Sequence, residues 1–328
     1  MNRLFSVFLT VAILLSALCW NASPGSAENP AALNIVTTIF PEYDWVREIL
    51  GEKFSDANVT MLLDKGVDLH SYQPTVDDMV KIASCDLFIY VGGESDRWVD
   101  AALKQAGNSS RKVINLLEVL GAGAKPEEIV EGMQEADREE EEEDAHDHEA
   151  EMDEHVWLSL KNAQVLCSAI SDALQQLDSQ NRDIYAVNTA AYLQRLAQLD
   201  EQFRQTVDDG TFKTLLFGDR FPFRYLADDY GLRYYAAFSG CSAESEASFE
   251  TVFFLATKMD ALELPCILTI EGTHHRIAQT IVENTTLKNQ KILTLDSMQA
   301  ITAQDVAGGA TYLSLMEKNL DVLTEALG

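Results

Sequence analysis

Basic residues are scarce: 24 lysines and arginines stand against 53 aspartates and glutamates, a formal net charge of −29. Such a surface repels phosphate backbones, which argues against nucleic acid as a partner, and it draws cations. Long apolar runs are scarcer still. The one candidate, residues 4–18 behind Arg3, is too short to span a bilayer comfortably and reads as the core of a secretion signal. Gly25, Ser26 and Ala27 supply small residues for cleavage after Ala27. Cys19 is the alternative, as a lipid anchor, although the Ser-Ala-Leu before it fits an anchor poorly. Either form is expected to work outside the cytoplasmic membrane. Among the five cysteines no CxxC spacing points to a thiolate metal site, while export permits disulfides. Cys85 and Cys167 sit in apolar surroundings and read as buried thiols; Cys241 with Cys266 is the one pair worth testing for a bridge. A GxxxxGK[ST] phosphate loop, a GxSxG elbow and an HExxH zinc helix are also absent.

What is present is alternation. LNIVTTI (33–39), NVTMLL (58–63), DLFIYVGG (86–93) and KVINLLE (112–118) read as strands, with helical stretches between them at 42–51, 76–85 and 98–107. TLLFG (214–218), LRYYAAF (232–238), CILTIEG (266–272) and KILTLDS (291–297) repeat the pattern, with helices near 221–230, 246–262, 274–286 and 309–326. Apolar strands alternating with helices predict parallel sheets covered on both faces. A helix is predicted at 160–178. Residues 181–207 then keep helical periodicity without a glycine or proline, about 40 Å of helix at the usual rise. Residues 121–154 form a low-complexity stretch, with thirteen acids against Arg138 alone in 135–154, and are expected to be a mobile loop.

The predicted layout is a signal at 1–27, an N-terminal lobe at 28–178 containing the acidic loop, a linking helix at 179–209 and a C-terminal lobe at 210–328. The fold class is α/β: two lobes with parallel-sheet cores joined by one long backbone helix. Ligands of such sheets bind at the carboxyl ends of the strands, here in the cleft between lobes.

Six histidines carry much of the remaining signal. His70 lies in the polar loop DKGVDLHSYQPT, where capping a turn is the plain alternative to ligating a metal. His155 ends the run EEEEEDAHDHEAEMDEH and directly precedes the apolar VWLSL; alone it passes for one more member of a solvated charge run. Asp219, Glu271 and Asp296 follow strands of the second set, each with a turn or helix cap as its alternative role. Their convergence at strand ends is what gives them weight together. Two imidazoles with one or two carboxylates suit Zn²⁺ or Mn²⁺, not Cu(I) or an iron–sulfur cluster. His274 and His275 are adjacent and cannot face one metal from a regular helix, so at least one reads as surface.

IVTTIFPEYDWVREILG, KGVDLHSYQPTVDDMVKIASCDLFIYVGG, DEHVWLSLKNAQ, DDYGLRYYAAF, CSAESEAS and ILTLDSM follow one another over essentially the whole chain after the signal. In order and spacing they resemble the solute-binding proteins of zinc and manganese ABC importers, and the His- and acid-rich stretch before HVWL is typical of the zinc branch. The resemblance implies two α/β lobes on a rigid helix, with one metal in the cleft. By position it assigns the first ligand to His70, the second to His155 and the acid of the second lobe to Asp296. The third ligand departs from the pattern. Relatives carry His or Glu just before the aromatic segment that here reads GDRFPFRYLADDYGL, and a gap-free match puts Arg220 there. An obligate cation cannot ligate a metal. Shifting by one residue puts Asp219 there instead, with Glu271 or water as alternatives, and leaves Arg220 to salt-bridge a ligating carboxylate. HVWLSL also lacks the proline-flanked form usual in relatives.

The function so implied is capture, not catalysis, with no resident cofactor. Zn²⁺ would be held at about 2.0–2.2 Å by neutral imidazoles and carboxylates, with Mn²⁺ the alternative cargo. Affinity is expected to fall as pH drops through about 6.5, where imidazole ordinarily protonates. The loaded protein, expected to be a monomer, would dock on an ABC permease of the cytoplasmic membrane served by a separate ATPase. The acidic loop would concentrate cations, with His146 and His148 either a weaker second site or incidental members of a linker. Two rivals differ in class. A metal-buffering surface adhesin would bind through 135–151 and be indifferent to His70. A secreted zinc hydrolase would need a general base, and none stands beside the candidate ligands.

Overall fold

Two four-stranded sheets, parallel throughout, organise the chain. The first contains β1 (Asn34–Thr37), β2 (Asn58–Met61), β3 (Leu87–Tyr90) and β4 (Lys112–Asn115) in the order β2-β1-β3-β4. The second contains β5 (Thr214–Phe221), β6 (Arg233–Ser239), β7 (Cys266–Ile270) and β8 (Lys291–Leu295) in the equivalent order β6-β5-β7-β8. β3 and β7 are buried at every residue, as strands covered on both faces must be. The computed structural model describes residues 32–105, 110–134, 151–242, 246–272 and 275–328. The expected signal segment with Cys19, the loop histidines His146 and His148, and His274 lie outside the described residues.

The helices are α1 (Phe40–Leu50), α2 (Val76–Ser84), α3 (Trp98–Gln105), α4 (Leu116–Leu120), α5 (Leu160–Leu177), α6 (Arg182–Asp209), α7 (Arg224–Tyr230), α8 (Phe249–Ala261), α9 (Arg276–Glu283), α10 (Ala303–Ala307) and α11 (Tyr312–Leu327). Local chemistry sets several of their ends. Thr75 and Asp78 form a reciprocal cap on α2: the Asp78 N–H donates to Thr75 Oγ1 at 3.2 Å, and the Thr75 N–H donates to Asp78 Oδ2 at 2.9 Å. The strand expected over 112–118 stops at Asn115. Its side chain accepts from the Glu118 N–H at 3.1 Å, so the chain turns into α4 instead of extending the ladder.

The long helix α6 has 28 residues, about 42 Å of rise. It buries Tyr185, Thr189, Tyr192, Leu196, Leu199, Phe203 and Val207, and this three-and-four spacing makes a single stripe. That stripe packs against α1, α5 and α11. The same apolar core takes Phe88 and Ile89 from the first sheet and Phe217 and Leu268 from the second, so Leu33–Gly328 is one unit.

Two further expectations change. The loop at 121–154 is tied down at both described ends. Pro126 bridges Met152, the Glu127 N–H donates to Glu151 O at 2.7 Å, and the Gln134 N–H donates to Ala237 O at 2.9 Å. Backbone pairing of the two arms, which composition does not reveal, holds them against the second sheet. Asp219 and Arg220 lie within β5 and not after it. A register shift between Phe217 and Arg220 lets the strand run on to Phe221, and such irregularities re-aim side chains at the rims of sheets.

Candidate metal centre

His70 sits in the short 3₁₀ turn Leu69–Ser71 that follows β2. Asp68 caps this turn, accepting from the His70 N–H at 3.0 Å through one oxygen. Its other oxygen accepts from the Arg220 guanidinium at 2.7 Å, which ties the His70 loop to β5 of the second sheet. Arg220 also donates to Ser242 O at 3.4 Å. The guanidinium thus pairs with the residue that shapes the His70 turn.

His155 is fully buried, as are Val156, Trp157 and Leu158 after it. Groups from the second half pin the segment. The Trp157 Nε1–H donates to Ser297 O at 2.9 Å, the Tyr312 hydroxyl to Trp157 O at 2.6 Å, and the Tyr225 hydroxyl to Asp153 O at 2.9 Å. A solvated charge run has none of these bonds. Gly240, just after β6, touches the ring directly: a Cβ there would lie 2.9 Å from Phe221 O and 3.0 Å from His155 Cε1.

The two imidazoles meet, with their Nε2 atoms 3.2 Å apart. Their Nδ1 atoms face oxygens. His155 Nδ1 lies 3.0 Å from Asp153 Oδ1, and His70 Nδ1 lies 2.8 Å from Ser95 Oγ and 3.4 Å from Glu154 Oε2. Glu154 is itself held by the Ser95 N–H at 2.8 Å. A carboxylate accepts, so the neutral tautomer of His155 that fits this contact donates from Nδ1 and carries a lone pair on Nε2. Opposite it, His70 either turns an N–H toward that lone pair or offers a second lone pair to a cation between the rings. Two nitrogens bound at about 2.0–2.1 Å to one tetrahedral ion lie about 3.3 Å apart, which the observed separation matches. Burial, reinforced by His155, pushes the His70 pKa down to about 3 against the opposing pull of Asp68.

Among the described residues, one set of three His, Cys, Asp or Glu side chains places its ligand atoms within 4.8 Å of one another: His70, His155 and Cys241. The expected carboxylates do not join it. Asp219 accepts from the N–H groups of Arg220 at 2.9 Å and Ile270 at 3.4 Å. Glu271 accepts from Ser297, at 2.7 Å from its N–H and 2.6 Å from its hydroxyl. Asp296 accepts from the Met298 N–H at 2.8 Å. Burial raises the pKa of Asp219; burial and the charge of Glu271 raise that of Asp296 to about 6. In this arrangement all three organise the strand ends of the second sheet.

Cys241 is the member of this set that the sequence does not single out as a ligand. The bridge to Cys266 that export would permit is not formed, and both thiols are free. The signal available in the sequence is its position just past β6, the same strand-end placement that singles out the acids. Burial pushes its pKa up, as do Glu127, Asp153 and Glu154, while the Glu154 backbone N–H pulls it down.

A cleft of about 1040 Å³ leads to this cluster, lined by His70, Cys241 and the carboxylates Glu94, Glu127, Glu151 and Glu154, with no lysine or arginine among its described lining residues. A second cavity of about 750 Å³, on which Asp219, Arg220 and Glu271 lie, also reaches His70. The first is the electrostatically favoured mouth for a cation.

A sequence profile described as the periplasmic component A of the zinc-uptake complex, ZnuA, matches residues 35–326. The chain belongs to this family. The zinc-binding lipoprotein AdcA of Streptococcus pneumoniae strain R6 is 28% identical over 326 residues, 96% of this chain and 60% of that protein. The chain thus spans well under two thirds of that relative. The high-affinity zinc uptake system protein ZnuA of Bacillus subtilis strain 168 is 28% identical over 331 residues, covering 97% of this chain and 96% of that protein. Among solved structures, the Zn(II)-bound ZnuA-like domain of S. pneumoniae AdcA superposes with a TM-score of 0.69 at 27% identity, over 90% of this chain and 99% of that one. The architecture of two parallel sheets and a long helix is that of this family.

Proposed function

We propose that this chain captures a zinc ion outside the cytoplasmic membrane and delivers it to an ABC permease served by a separate ATPase. The observation that carries this reading is the imidazole pair, with Nε2 atoms 3.2 Å apart, the His155 Nδ1 on a carboxylate and the His70 Nδ1 on a hydroxyl with a carboxylate behind it. A carboxylate behind a ligating histidine fixes its tautomer and strengthens it as a donor. Membership of the zinc-uptake family and the acid-lined cleft point the same way. On this reading residues 28–178 and 210–328 act as two lobes of a monomer about the helix at 179–209. Export proceeds through residues 1–27, with Cys19 as the alternative anchor.

His70 and His155 are the nitrogen ligands in this proposal. Asp219 and Asp296 contribute negative charge from the wall of the second sheet and would have to release backbone N–H groups to reach the ion. Titration of the reduced, metal-free protein with Zn²⁺ tests the assignment. Tight 1:1 binding is expected to survive deletion of 135–151 and to collapse in His70→Ala and in His155→Ala, with Asp219→Asn and Asp296→Asn weakening it less. Full affinity in His155→Ala would sink the assignment, and binding lost with the deletion alone would favour a buffering loop.

A further inference from the structure

Cys241 is the cleft residue that the capture reading leaves unused, and we infer that it is a sulfur ligand of the zinc ion, set by the second sheet against the two imidazoles. This rests on the capture reading and sharpens it. The first support is placement: Sγ of Cys241 completes the single described set of three ligand atoms that lie within 4.8 Å of one another. A tetrahedral site with two histidines and a cysteine has ligand-to-ligand edges of about 3.3–3.7 Å. The imidazole edge is already formed at 3.2 Å, and the sulfur lies within 4.8 Å of a ring nitrogen of each histidine.

The second support is how the residue is held. The Cys241 N–H donates to Glu127 Oε1 at 2.9 Å, and the neighbouring Gly240 lies against the His155 ring. Residue 241 therefore keeps its place relative to His155. The third support is the absence of a competitor. Arg220 on β5 is engaged by Asp68 and Ser242, and Asp219 by two backbone N–H groups, so Cys241 is the second-sheet donor that reaches both imidazoles among the described residues.

Zinc would bond to the sulfur as the thiol proton passes to solvent, giving a mixed nitrogen and sulfur site. A thiolate favours zinc over manganese, which prefers oxygen donors, so Cys241 would be the residue that sets selectivity. Cobalt(II) is the probe, because a cobalt–thiolate bond gives a near-ultraviolet charge-transfer band that nitrogen and oxygen ligands do not. The reduced, metal-free protein is expected to take up Co²⁺ 1:1 with this band, and Zn²⁺ to abolish it. Cys241→Ser is expected to bind Co²⁺ without the band, to lose about tenfold to hundredfold in zinc affinity and to discriminate less against Mn²⁺. A wild-type cobalt complex that needs His70 but lacks the band overturns the sulfur ligand and leaves the capture reading standing. So does a band retained in Cys241→Ser. Binding of neither metal, or binding indifferent to His70→Ala, overturns both.

Discussion

Gly240→Ala tests whether close packing around His155 governs metal binding. The glycine backbone lies outside the left-handed region, so alanine meets no conformational strain there and the cost is contact alone. A Cβ would lie 2.9 Å from Phe221 O, 3.0 Å from His155 Cε1 and 3.1 Å from His155 Nδ1. Something must yield. Phe221 O belongs to a paired strand and gives little, whereas the imidazole is held at Nδ1 by the Asp153 carboxylate and can tilt. Relieving an overpacked contact of this kind costs about 1–3 kcal/mol. If the ring moves, that energy is taken from the geometry that binds the ion, and at 1.4 kcal/mol per decade it weakens zinc binding by roughly tenfold to a hundredfold. Competition against a fluorescent chelator measures the affinity, and melting of the metal-free protein reports on the fold. The expected result is a clear loss of affinity with little change in melting. Zinc affinity and melting both indistinguishable from the parent would refute the reasoning, and a large fall in melting with unchanged affinity would show that the loop yields instead of the ring.

Two other perturbations probe the scaffold. Leu196, fully buried in the α6 stripe, lines neither cleft cavity. Leu196→Ala should cost about 2–5 kcal/mol in chemical denaturation and leave zinc affinity intact; a stability unchanged from the parent would mean that the stripe is not well packed. Asp96 is 3% exposed, and burial, with the charge of Glu154, raises its pKa to about 7 against the pull of backbone hydrogen bonds. A raised folded pKa means that its contribution is fully present below the unfolded value near 3.9 and is lost as pH rises through about 7. Asp96→Asn stays neutral, so its advantage over the parent should grow between about pH 4 and 7 and level off above, within an upper bound of about 4 kcal/mol for three units. Urea midpoints at pH 5 and pH 8 that shift in parallel for the two proteins would contradict this.

Periodicity alone determines a good deal of this protein. Alternating apolar strands and helices specify two parallel sheets, and the unbroken pattern over 181–207 specifies α6, because each element encodes its own buried face in local spacing. Motif order also singled out His70 and His155. What local spacing cannot encode is the meeting of two imidazoles 85 residues apart at 3.2 Å, with Asp153 beneath one ring and Ser95 and Glu154 beside the other. The same holds for the carboxylates. Asp219, Glu271 and Asp296 look like free ligands at strand ends until the register of β5 and the turns after β7 and β8 direct their oxygens to backbone N–H groups and to Ser297. Cys241 reads from the sequence as half of a possible bridge, and only the folded chain brings its sulfur within 4.8 Å of the two imidazoles. Metal ligation depends on distances of a few tenths of an ångström between segments far apart in sequence, and packing of one half of the chain against the other sets those distances.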